Sequence, residues 1–458
     1  MKLQFFGAAG TVTGSKYFVS TDTTNVLVDC GLFQGPREWR EKNWMKLPFN
    51  PASISAVLLT HAHIDHTGIL PRWFANGLNC PIYCTQATYE ISKLLLPDSG
   101  RLQEEEAQYR AEKKRSRHEI PLPLYTEKEA ERVLDFFRVV SFNKAVKLPA
   151  GELTANWIKS GHILGAASIS LSENEKNILF SGDLGRFNDP VTTDPEAVNL
   201  GDLTLIESTY GNKSHSDSDP ADRLAEIINR TAEKGGIVLV PSFAVGRTQA
   251  MLYYISILKR EGKIPNLEII IDSPMAADVT SIYQHHLNLL GDEMRLELQK
   301  GTNPLLPPRL RFVRDRSDSI RLNSQKGPMI IISASGMLSG GRILHHLKNR
   351  LGDAKNSVVF VGFQPPGGKG DRLLKGAKVL NVLAEEIPVR AQICEISGLS
   401  AHGDQEDLIN WCKMGKGNPR NVRVVHGEPE AAVVFRDKLK NVFGWNVEVA
   451  RFGEVVEV

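Results

Sequence analysis

Cysteine is scarce in this chain of 458 residues, and its pattern argues against a disulfide-bonded fold. There are only five cysteines, an odd number, and no two of them form a CxxC pair. The amino terminus lacks the long apolar stretch of a signal peptide, and no apolar run reaches the roughly 18 residues of a membrane span. We therefore expect a reduced, cytoplasmic protein that has no membrane partner.

An excess of charge of one sign is also lacking. Lysine and arginine number 55 against 53 aspartate and glutamate, a net charge of +2, which excludes a histone-like polycation but not a local basic groove. Hydrophobic residues make up 41% and charged residues 24%, which excludes disorder over most of the chain. The length predicts two or three domains.

The hydrophobic pattern changes along the chain and predicts an α/β protein. The first two hundred residues contain short apolar strands joined by tight loops, with helices expected at Ala87–Leu96 and Leu102–Lys114. After about Thr209, strands alternate with helices, which is typical of βαβ units around a parallel sheet. The chain is expected to leave this second region near Val389–Ile396.

A cluster of histidines is the most specific local feature. The HxHxDH motif at residues 61–66 holds three of the twelve histidines and directly follows an apolar strand. Imidazole and carboxylate groups are good ligands for zinc-like ions. The spacing suggests one ion beside His61 and His63 and a second ion beside Asp65 and His66.

These four ligands are too few for two ions, so further ligands are expected at the ends of other strands. His162, Asp183 and Asp29 each stand at the end of a short apolar run. Any one of them alone would be an ordinary turn residue. Together with the HxHxDH motif they indicate a two-metal site.

This set of residues resembles the metallo-β-lactamase superfamily. The resemblance implies an αββα sandwich with two zinc ions at one edge of the sheets. It also implies that Asp29 orients ligands through hydrogen bonds. The implied zinc ligands are His61, His63 and His162 for one ion and Asp65 and His66 for the other, with Asp183 between them.

Three later segments indicate one branch of the superfamily. Residues 205–211 (LIESTYG), 398–404 (GLSAHGD) and 425–428 (VHGE) resemble motifs A, B and C of the β-CASP group of nucleic-acid nucleases. The implied domains are 1–208 and 391–458 for the two parts of a metallo-β-lactamase domain and 209–390 for an inserted α/β β-CASP domain.

The same resemblance assigns roles within these motifs. Glu207 and His402 would pair beside the metals, and His426 would complete the second zinc site. Members of the group that act on RNA carry histidine at motif C, whereas the DNA-repair members carry an apolar residue, so His426 favours RNA. The chain resembles the compact bacterial type, which is similar to ribonuclease J and to the endonuclease subunit of the cleavage and polyadenylation factor.

The expected reaction is hydrolysis of a phosphodiester by water held between two zinc ions. Asp183 would bridge the ions, and His402 would protonate the leaving oxygen while Glu207 fixes its tautomer. RNA would be gripped by the loop that contains Ser333, Ser335 and Gly336, and by Arg247. That loop could instead be a plain Gly/Ser turn, and Arg247 could form an ion pair between domains.

The leading hypothesis is a zinc-dependent ribonuclease that cleaves single-stranded RNA threaded between two domains, as an endonuclease and also as a 5′-to-3′ exonuclease. A DNA nuclease is the alternative, opposed only by His426. A small-molecule hydrolase would leave the insertion and motifs A to C unexplained. A catalytically silent scaffold predicts lost ligands, yet every expected ligand is present. The charged exterior leaves room for a homodimer.

Overall fold

The computed structural model describes residues 1–112, 121–149, 151–214, 219–362 and 364–458. Within these ranges the chain forms two compact units. The first unit contains the described residues of 1–187, 194–214 and 402–458, and the second contains those of 188–193 and 215–401. The domain limits at 208 and 390 stay a prediction.

The first unit contains two seven-stranded sheets. The strands of the first sheet are β1 (Lys2–Phe5), β2 (Lys16–Ser20), β3 (Asn25–Cys30), β4 (Ile54–Leu58), β5 (Ile82–Thr85), β6 (Phe137–Val140) and β22 (Val455–Glu457). Their order is β22-β1-β2-β3-β4-β5-β6. Neighbours are antiparallel from β22 to β3 and parallel from β3 to β6.

The second sheet of this unit is also mixed. Its strands are β7 (Val146–Lys147), β8 (Thr154–Lys159), β9 (Ala167–Glu173), β10 (Lys176–Phe180), β11 (Leu203–Glu207), β20 (Asn421–Val425) and β21 (Val447–Val449). Their order is β21-β20-β11-β10-β9-β8-β7. Neighbours are antiparallel from β7 to β10 and parallel from β10 to β21.

The two sheets pack face to face around one apolar core. Val26 and Val28 on the first sheet belong to the same buried cluster as Trp157 and Phe180 on the second. The indole Nε1 of Trp157 donates a hydrogen bond to the carbonyl oxygen of Leu59 at 3.0 Å. This bond connects a strand of one sheet to the end of a strand of the other, just before the HxHxDH motif.

Helices cover the outer faces of this sandwich. The helices of the unit are α1 (Arg37–Lys42), α2 (Ile64–Thr67), α3 (Leu70–Ala75), α4 (Gln86–Glu112), α5 (Glu127–Val133), α13 (Gln405–Met414) and α14 (Pro429–Phe443). Leu27, which lies between inward-facing residues, packs outward in a cluster with Trp73 of α3. Val422 packs outward with Trp411 of α13 and Phe435 of α14. The expected αββα layering is therefore confirmed.

One helix differs from the sequence expectation. The two helices expected at Ala87–Leu96 and Leu102–Lys114 are a single helix, α4, with Pro97 inside it. Gly100 lies against the backbone of the segment before α5, where an added Cβ would be 2.7 Å from the backbone nitrogen of Glu127. Tertiary packing thus keeps the helix continuous through two helix-breaking residues. Residues 113 and 114 lie outside the described ranges.

The second unit is built on a parallel sheet, as its alternating pattern predicted. Its strands are β12 (Ile237–Pro241), β13 (Glu268–Asp272), β14 (Leu310–Phe312), β15 (Met329–Ser333), β16 (Ser357–Phe360) and β19 (Gln392–Glu395), with a separate antiparallel pair β17 (Val379–Val382) and β18 (Glu385–Pro388). The order is β14-β13-β15-β12-β16-β19, and all neighbours are parallel.

Apolar clusters cover both faces of this parallel sheet, which explains why its central strands are continuous hydrophobic runs. The helices of the unit are α6 (Pro220–Glu233), α7 (Arg247–Arg260), α8 (Pro274–His285), α9 (Asp292–Gln299), α10 (Arg316–Leu322), α11 (Ile343–Arg350) and α12 (Lys369–Leu374). Short 3-10 helices in the described ranges of both units span Pro51–Ser53, Leu134–Phe136, Leu287–Leu289 and Ser397–Leu399. None of the helices in the described ranges is both long and apolar enough to cross a membrane.

Candidate metal centre

The candidate ligands lie together because they stand at corresponding ends of strands in the two packed sheets. The parallel portions of each sheet place the carboxyl ends of several strands at one edge. Asp29 lies in β3, the HxHxDH motif follows β4, His162 follows β8, Asp183 follows β10, Glu207 ends β11 and His426 follows β20.

The backbone around these residues is closely packed and locally strained. Asp29 and His426 adopt positive φ angles of 56° and 48°, a region that few residues other than glycine occupy. Gly31 approaches the motif so closely that an added Cβ would lie 1.5 Å from the carbonyl oxygen of Asp65. Only glycine fits there, so the loop after β3 fixes the position of the HxHxDH turn.

Three imidazoles and one carboxylate form the first ligand group. The Nδ1 atom of His63 lies 3.1 Å from Nε2 of His61 and 3.2 Å from Nε2 of His162. The Oδ2 atom of Asp183 lies 3.5 Å from each of these two Nε2 atoms. The four ligand atoms thus converge on one point.

This donor set fits a zinc ion. Four ligands at tetrahedral angles and at a Zn–N distance of about 2.05 Å would be about 3.3 Å apart. The observed separations are 3.1–3.5 Å. Imidazole nitrogens that converge on each other cannot all be hydrogen-bond donors, so a cation satisfies them better than mutual hydrogen bonds do.

A second ligand group lies on the other side of Asp183. The Nε2 atoms of His66 and His426 are 3.2 Å apart, and Oδ2 of Asp65 is 3.6 Å from Nε2 of His426. Oδ1 of Asp183 lies 3.2 Å from Nε2 of His66. The two oxygens of Asp183 therefore face the two groups separately, which is the arrangement of a bridging carboxylate.

Asp29 holds one of these ligands in place. Its Oδ2 accepts a hydrogen bond from Nδ1 of His66 at 2.7 Å. Its two oxygens also accept bonds from the backbone nitrogen and the hydroxyl of Thr60, both at 2.8 Å. With the proton on Nδ1, the lone pair of His66 Nε2 faces the second ligand group.

The electrostatics of the cluster suit cation binding. Burial lowers the pKa of His61 well below its ordinary value, with His66 adding to this effect, and burial lowers the pKa of His63 to about 4. Both imidazoles are therefore neutral near pH 7, the form that binds metal. Burial raises the pKa of Asp183, but His426, His66 and His61 outweigh it and hold that pKa well below the ordinary value.

Burial lowers the pKa of His66, but the carboxylates of Asp183 and Asp29 outweigh it and raise that pKa well above the ordinary value. Burial likewise lowers the pKa of His426, and Asp183 and Asp65 reverse the effect. In each case buried carboxylates attract positive charge to the position where a second ion would lie.

Glu207 and His402 form a pair beside the first ligand group. Oε1 of Glu207 accepts a hydrogen bond from Nδ1 of His402 at 3.0 Å, and it also accepts one from the backbone nitrogen of Leu184. Nε2 of His402 lies 3.9 Å from Oδ2 of Asp183. The His402 side chain is 16% exposed, whereas Asp183 is 2% exposed and Glu207 is fully buried. His402 is thus the partly accessible member of this pair, at the edge of the cluster.

Three hydroxyl residues for which the sequence predicted no role contact the candidate ligands. The hydroxyl of Thr60 lies 3.1 Å from Nδ1 of His61, and that of Thr209 lies 3.1 Å from Nδ1 of His426. Ser15 Oγ lies 3.3 Å from Nε2 of His66. Their position next to a motif was the only available signal, because such contacts depend on the fold.

The four residues expected to bind RNA all lie in the second unit. Ser333 is buried at the end of β15, and its hydroxyl donates to the carbonyl oxygen of Asp272 at 2.9 Å. Ser335 lies in the turn after that strand, 3.0 Å from the hydroxyl of Ser339, and Gly336 is buried. Arg247 is buried, and its guanidinium donates to the carbonyl oxygen of Leu399.

Family models match most of the chain. The metallo-beta-lactamase superfamily matches residues 9–225, the Beta-Casp domain matches 248–373, and the Zn-dependent metallo-hydrolase RNA specificity domain matches 386–450. Ribonuclease TTHA0252 of Thermus thermophilus is 37% identical over 460 residues, and the alignment covers 100% of both chains. The chain belongs to the β-CASP group of the metallo-β-lactamase superfamily.

Other proteins align less closely. An RNase J-like protein of Methanocaldococcus jannaschii is 30% identical over 94% of each chain. Transcription termination factor FttA of the same organism is 29% identical over 97% of this chain and 69% of its own length. A solved structure of a protein of unknown function from Enterococcus faecalis V583 has a TM-score of 0.55, at 14% identity and 100% and 99% coverage. That last match supports the fold alone.

Membership of the β-CASP group confirms the expected architecture and the class of chemistry. The chain is a zinc-dependent metallo-hydrolase that acts on RNA, with a β-CASP domain inserted in a metallo-β-lactamase domain. The two ligand groups on either side of Asp183 agree with two zinc ions.

The geometry predicts different effects on metal content for two substitutions. Asp183→Ala should lose at least one of about two zinc ions, because both oxygens of Asp183 face ligand groups. His402→Ala should keep both ions, because His402 belongs to neither of these groups but to a third cluster with Asp183 and Glu207, in which its Nδ1 is already hydrogen-bonded to Glu207. Elemental analysis of protein purified without chelator measures this, and equal zinc loss in the two variants would contradict the division.

Proposed function

We propose that this chain is a ribonuclease of the cytoplasm that hydrolyses phosphodiester bonds within single-stranded RNA, with 5′-to-3′ exonuclease activity as a second mode, in RNA processing or decay. The observation that carries the proposal is the placement of two largely buried ligand groups on the two oxygens of Asp183, with His402 and Glu207 beside them. A two-metal site beside a proton donor is suited to phosphodiester hydrolysis.

The proposed ligands follow from the two groups. Each group supplies imidazole nitrogens and shares one carboxylate. Thr60 and Asp29 hold the imidazoles from behind through hydrogen bonds. We assign His61, His63 and His162 to one zinc, Asp65, His66 and His426 to the other, and Asp183 to both.

When bound, the two zinc ions would lower the pKa of a water and neutralise the charge on the phosphate. The chain itself supplies the proton for the leaving oxygen. An ionised carboxylate can only accept a hydrogen bond, so Glu207 fixes the proton of His402 on Nδ1. Nε2 of His402 then faces the ligand cluster and delivers a second proton when the ring is protonated.

Glu207 is itself held rigidly. Its Oε1 accepts from the backbone nitrogen of Leu184, next to Asp183, and its Oε2 accepts from the backbone nitrogen of Thr209. The carboxylate is therefore fixed relative to the candidate bridging residue. This fixed orientation is what a general acid requires from its partner, because a misplaced ring would not reach the leaving oxygen.

His426 supports RNA over DNA as the substrate, since the resemblance associates histidine at motif C with members that act on RNA. It is buried, its Nδ1 contacts Thr209, and its Nε2 faces Asp65 and His66. Ribonuclease TTHA0252 and the RNase J-like protein carry RNA cleavage in their names. The DNA nuclease alternative therefore has the weaker support.

Contacts to the RNA backbone are proposed for the second unit. Ser335 and Gly336 lie in a turn after a buried parallel strand, a setting that suits phosphate oxygens. Ser333 and Arg247 are more deeply buried and already donate to backbone carbonyls. Their contact with RNA stays a prediction, as does formation of a homodimer.

The cytoplasmic location is supported by the cysteines. All five are free and buried, which suits a reducing compartment.

RNA should be cleaved far faster than DNA of the same sequence, and paired RNA should resist cleavage. The reason is that His426 favours RNA and that the bases of a duplex are paired and not free for contact. Cleavage of end-labelled and internally labelled single-stranded RNA, duplex RNA and single-stranded DNA by the same zinc-loaded sample measures this. Equal rates on single-stranded RNA and DNA would contradict the substrate assignment, and the internal label separates endonuclease from exonuclease products.

Replacing Arg247 tests its assignment to RNA binding. If Arg247 contacts a phosphate, Arg247→Ala should weaken binding of all RNA sequences equally. The slope of the logarithm of the binding constant against the logarithm of the salt concentration, here called the salt slope, should also become less steep by about 0.7. Fluorescence anisotropy at several salt concentrations measures the slope, with exposed Arg321→Ala as the control. An unchanged slope would contradict a phosphate contact of Arg247 and would leave it a structural role through its bond to the Leu399 carbonyl.

A further inference from the structure

A second pocket lies in the first unit, outside the two ligand groups. It is open to solvent, and its cavity volume is about 100 Å³. Four aromatic side chains line it, namely Phe6, Phe33, Trp73 and Phe452. The mechanism proposed above uses none of these residues.

The aromatic residues differ in their exposure to solvent. Phe6, Phe33 and Trp73 are buried, whereas Phe452 is 40% exposed. The ring centroids of Phe33 and Phe452 are 6.5 Å apart, at an interplanar angle of 50°. Exposed aromatic surface beside a cavity is suited to a planar ring that stacks on it.

The charges at this pocket all have the same sign. Lys16, Lys42 and Lys46 line it, and none of its lining residues in the described part of the chain is aspartate or glutamate. The Nζ atom of Lys42 lies 3.9 Å from the centroid of the Phe452 ring. Lys46 is exposed at the rim. Such a site attracts a ligand that combines a planar ring with negative charge.

Lys16 connects the pocket to the candidate metal centre. It is buried, its Nζ lies 3.9 Å from the centroid of the Phe33 ring, and it donates to the carbonyl oxygens of Gly14 and Gly31 at 2.9 and 2.6 Å. Gly31 in turn packs against the carbonyl oxygen of Asp65.

A second lining residue has the same connection. Ile69 lines the pocket and lies three residues after His66, and its backbone nitrogen donates to the carbonyl oxygen of Cys30 at 2.9 Å. The backbone nitrogen of Leu32 donates to the carbonyl oxygen of Ile64 at 2.9 Å. The pocket wall and the HxHxDH turn are therefore parts of one hydrogen-bonded segment.

We propose that this pocket binds one unpaired nucleotide of the RNA substrate, near the nucleotide whose phosphate is cleaved. The base stacks against the exposed ring of Phe452, and the phosphate lies near Lys42 and Lys46. The proposal rests on the ribonuclease function proposed above. It gives a physical reason for a preference for single strands, because a paired base cannot enter a pocket.

The test uses a set of single-stranded RNA oligonucleotides in which one nucleotide at a time lacks its base. Binding is measured by fluorescence anisotropy in a His402→Ala background, so that no cleavage is required. Removing the base at one position should raise Kd roughly tenfold, about 1.4 kcal/mol, and Phe452→Ala should raise the Kd of intact RNA by a similar factor. The two changes together should cost no more than either one alone.

Controls separate stacking from general damage. Tyr109→Ala removes an aromatic side chain that is 48% exposed outside the pocket and should leave Kd unchanged. Lys46→Ala should lower the salt slope by about 0.7, whereas Lys438→Ala on α14 should not.

The proposal would be overturned if removal of the base raises Kd at none of the positions in the RNA, a result called a flat base scan. The proposal would also be overturned if the increases in Kd from Phe452→Ala and from base removal multiply when the two changes are combined. Cleavage of intact RNA by the unmodified protein is measured separately. Its absence would refute the ribonuclease function, whereas a flat base scan alongside normal cleavage would refute only the nucleotide pocket.

Discussion

A single buried carboxylate, that of Asp183, organises the candidate site. Its two oxygens face two groups of imidazoles whose nitrogens are close enough to need a cation between them. Such a cluster is costly to assemble without metal, since its lone pairs and charges are removed from water. Folding and zinc binding are therefore expected to support each other in this chain.

The fold offsets this unfavourable free energy by holding each candidate ligand on or next to a rigid element. Strands of both sheets end at the same edge, and the bond from Trp157 to the Leu59 carbonyl links the two sheets just before the motif. Gly31 allows the loop after β3 to lie against Asp65, and Asp29 orients His66 from behind. The second unit has a similar arrangement at the end of a strand. The buried Asp272 at the end of β13 binds His346 and Arg342.

Sequence reasoning succeeded where residue type and spacing carry the information. The HxHxDH motif, the strand-end positions of His162 and Asp183, and the alternation that marks a parallel sheet are all local patterns. The αββα sandwich and the inserted β-CASP domain were predicted from the family resemblance. The individual ligand assignments remain proposals, although the structure brings those side chains together.

The features that sequence reasoning missed depend on contacts between distant segments. The continuation of α4 through Pro97 depends on packing of Gly100 against the segment before α5. The hydroxyl of Thr209 reaches His426 across 217 positions of the chain. The aromatic pocket joins Phe33 to Phe452, near opposite ends of the sequence. No local pattern marks such pairs, because only the completed fold brings them together.

The proposed mechanism depends on the position of Asp183 between two zinc ions. Crystals of protein purified without chelator, measured on both sides of the zinc absorption edge, test it directly. We expect two anomalous peaks, one among His61, His63 and His162 and one among Asp65, His66 and His426, with Asp183 in contact with both. A single peak, or two peaks of which neither touches Asp183, would contradict it.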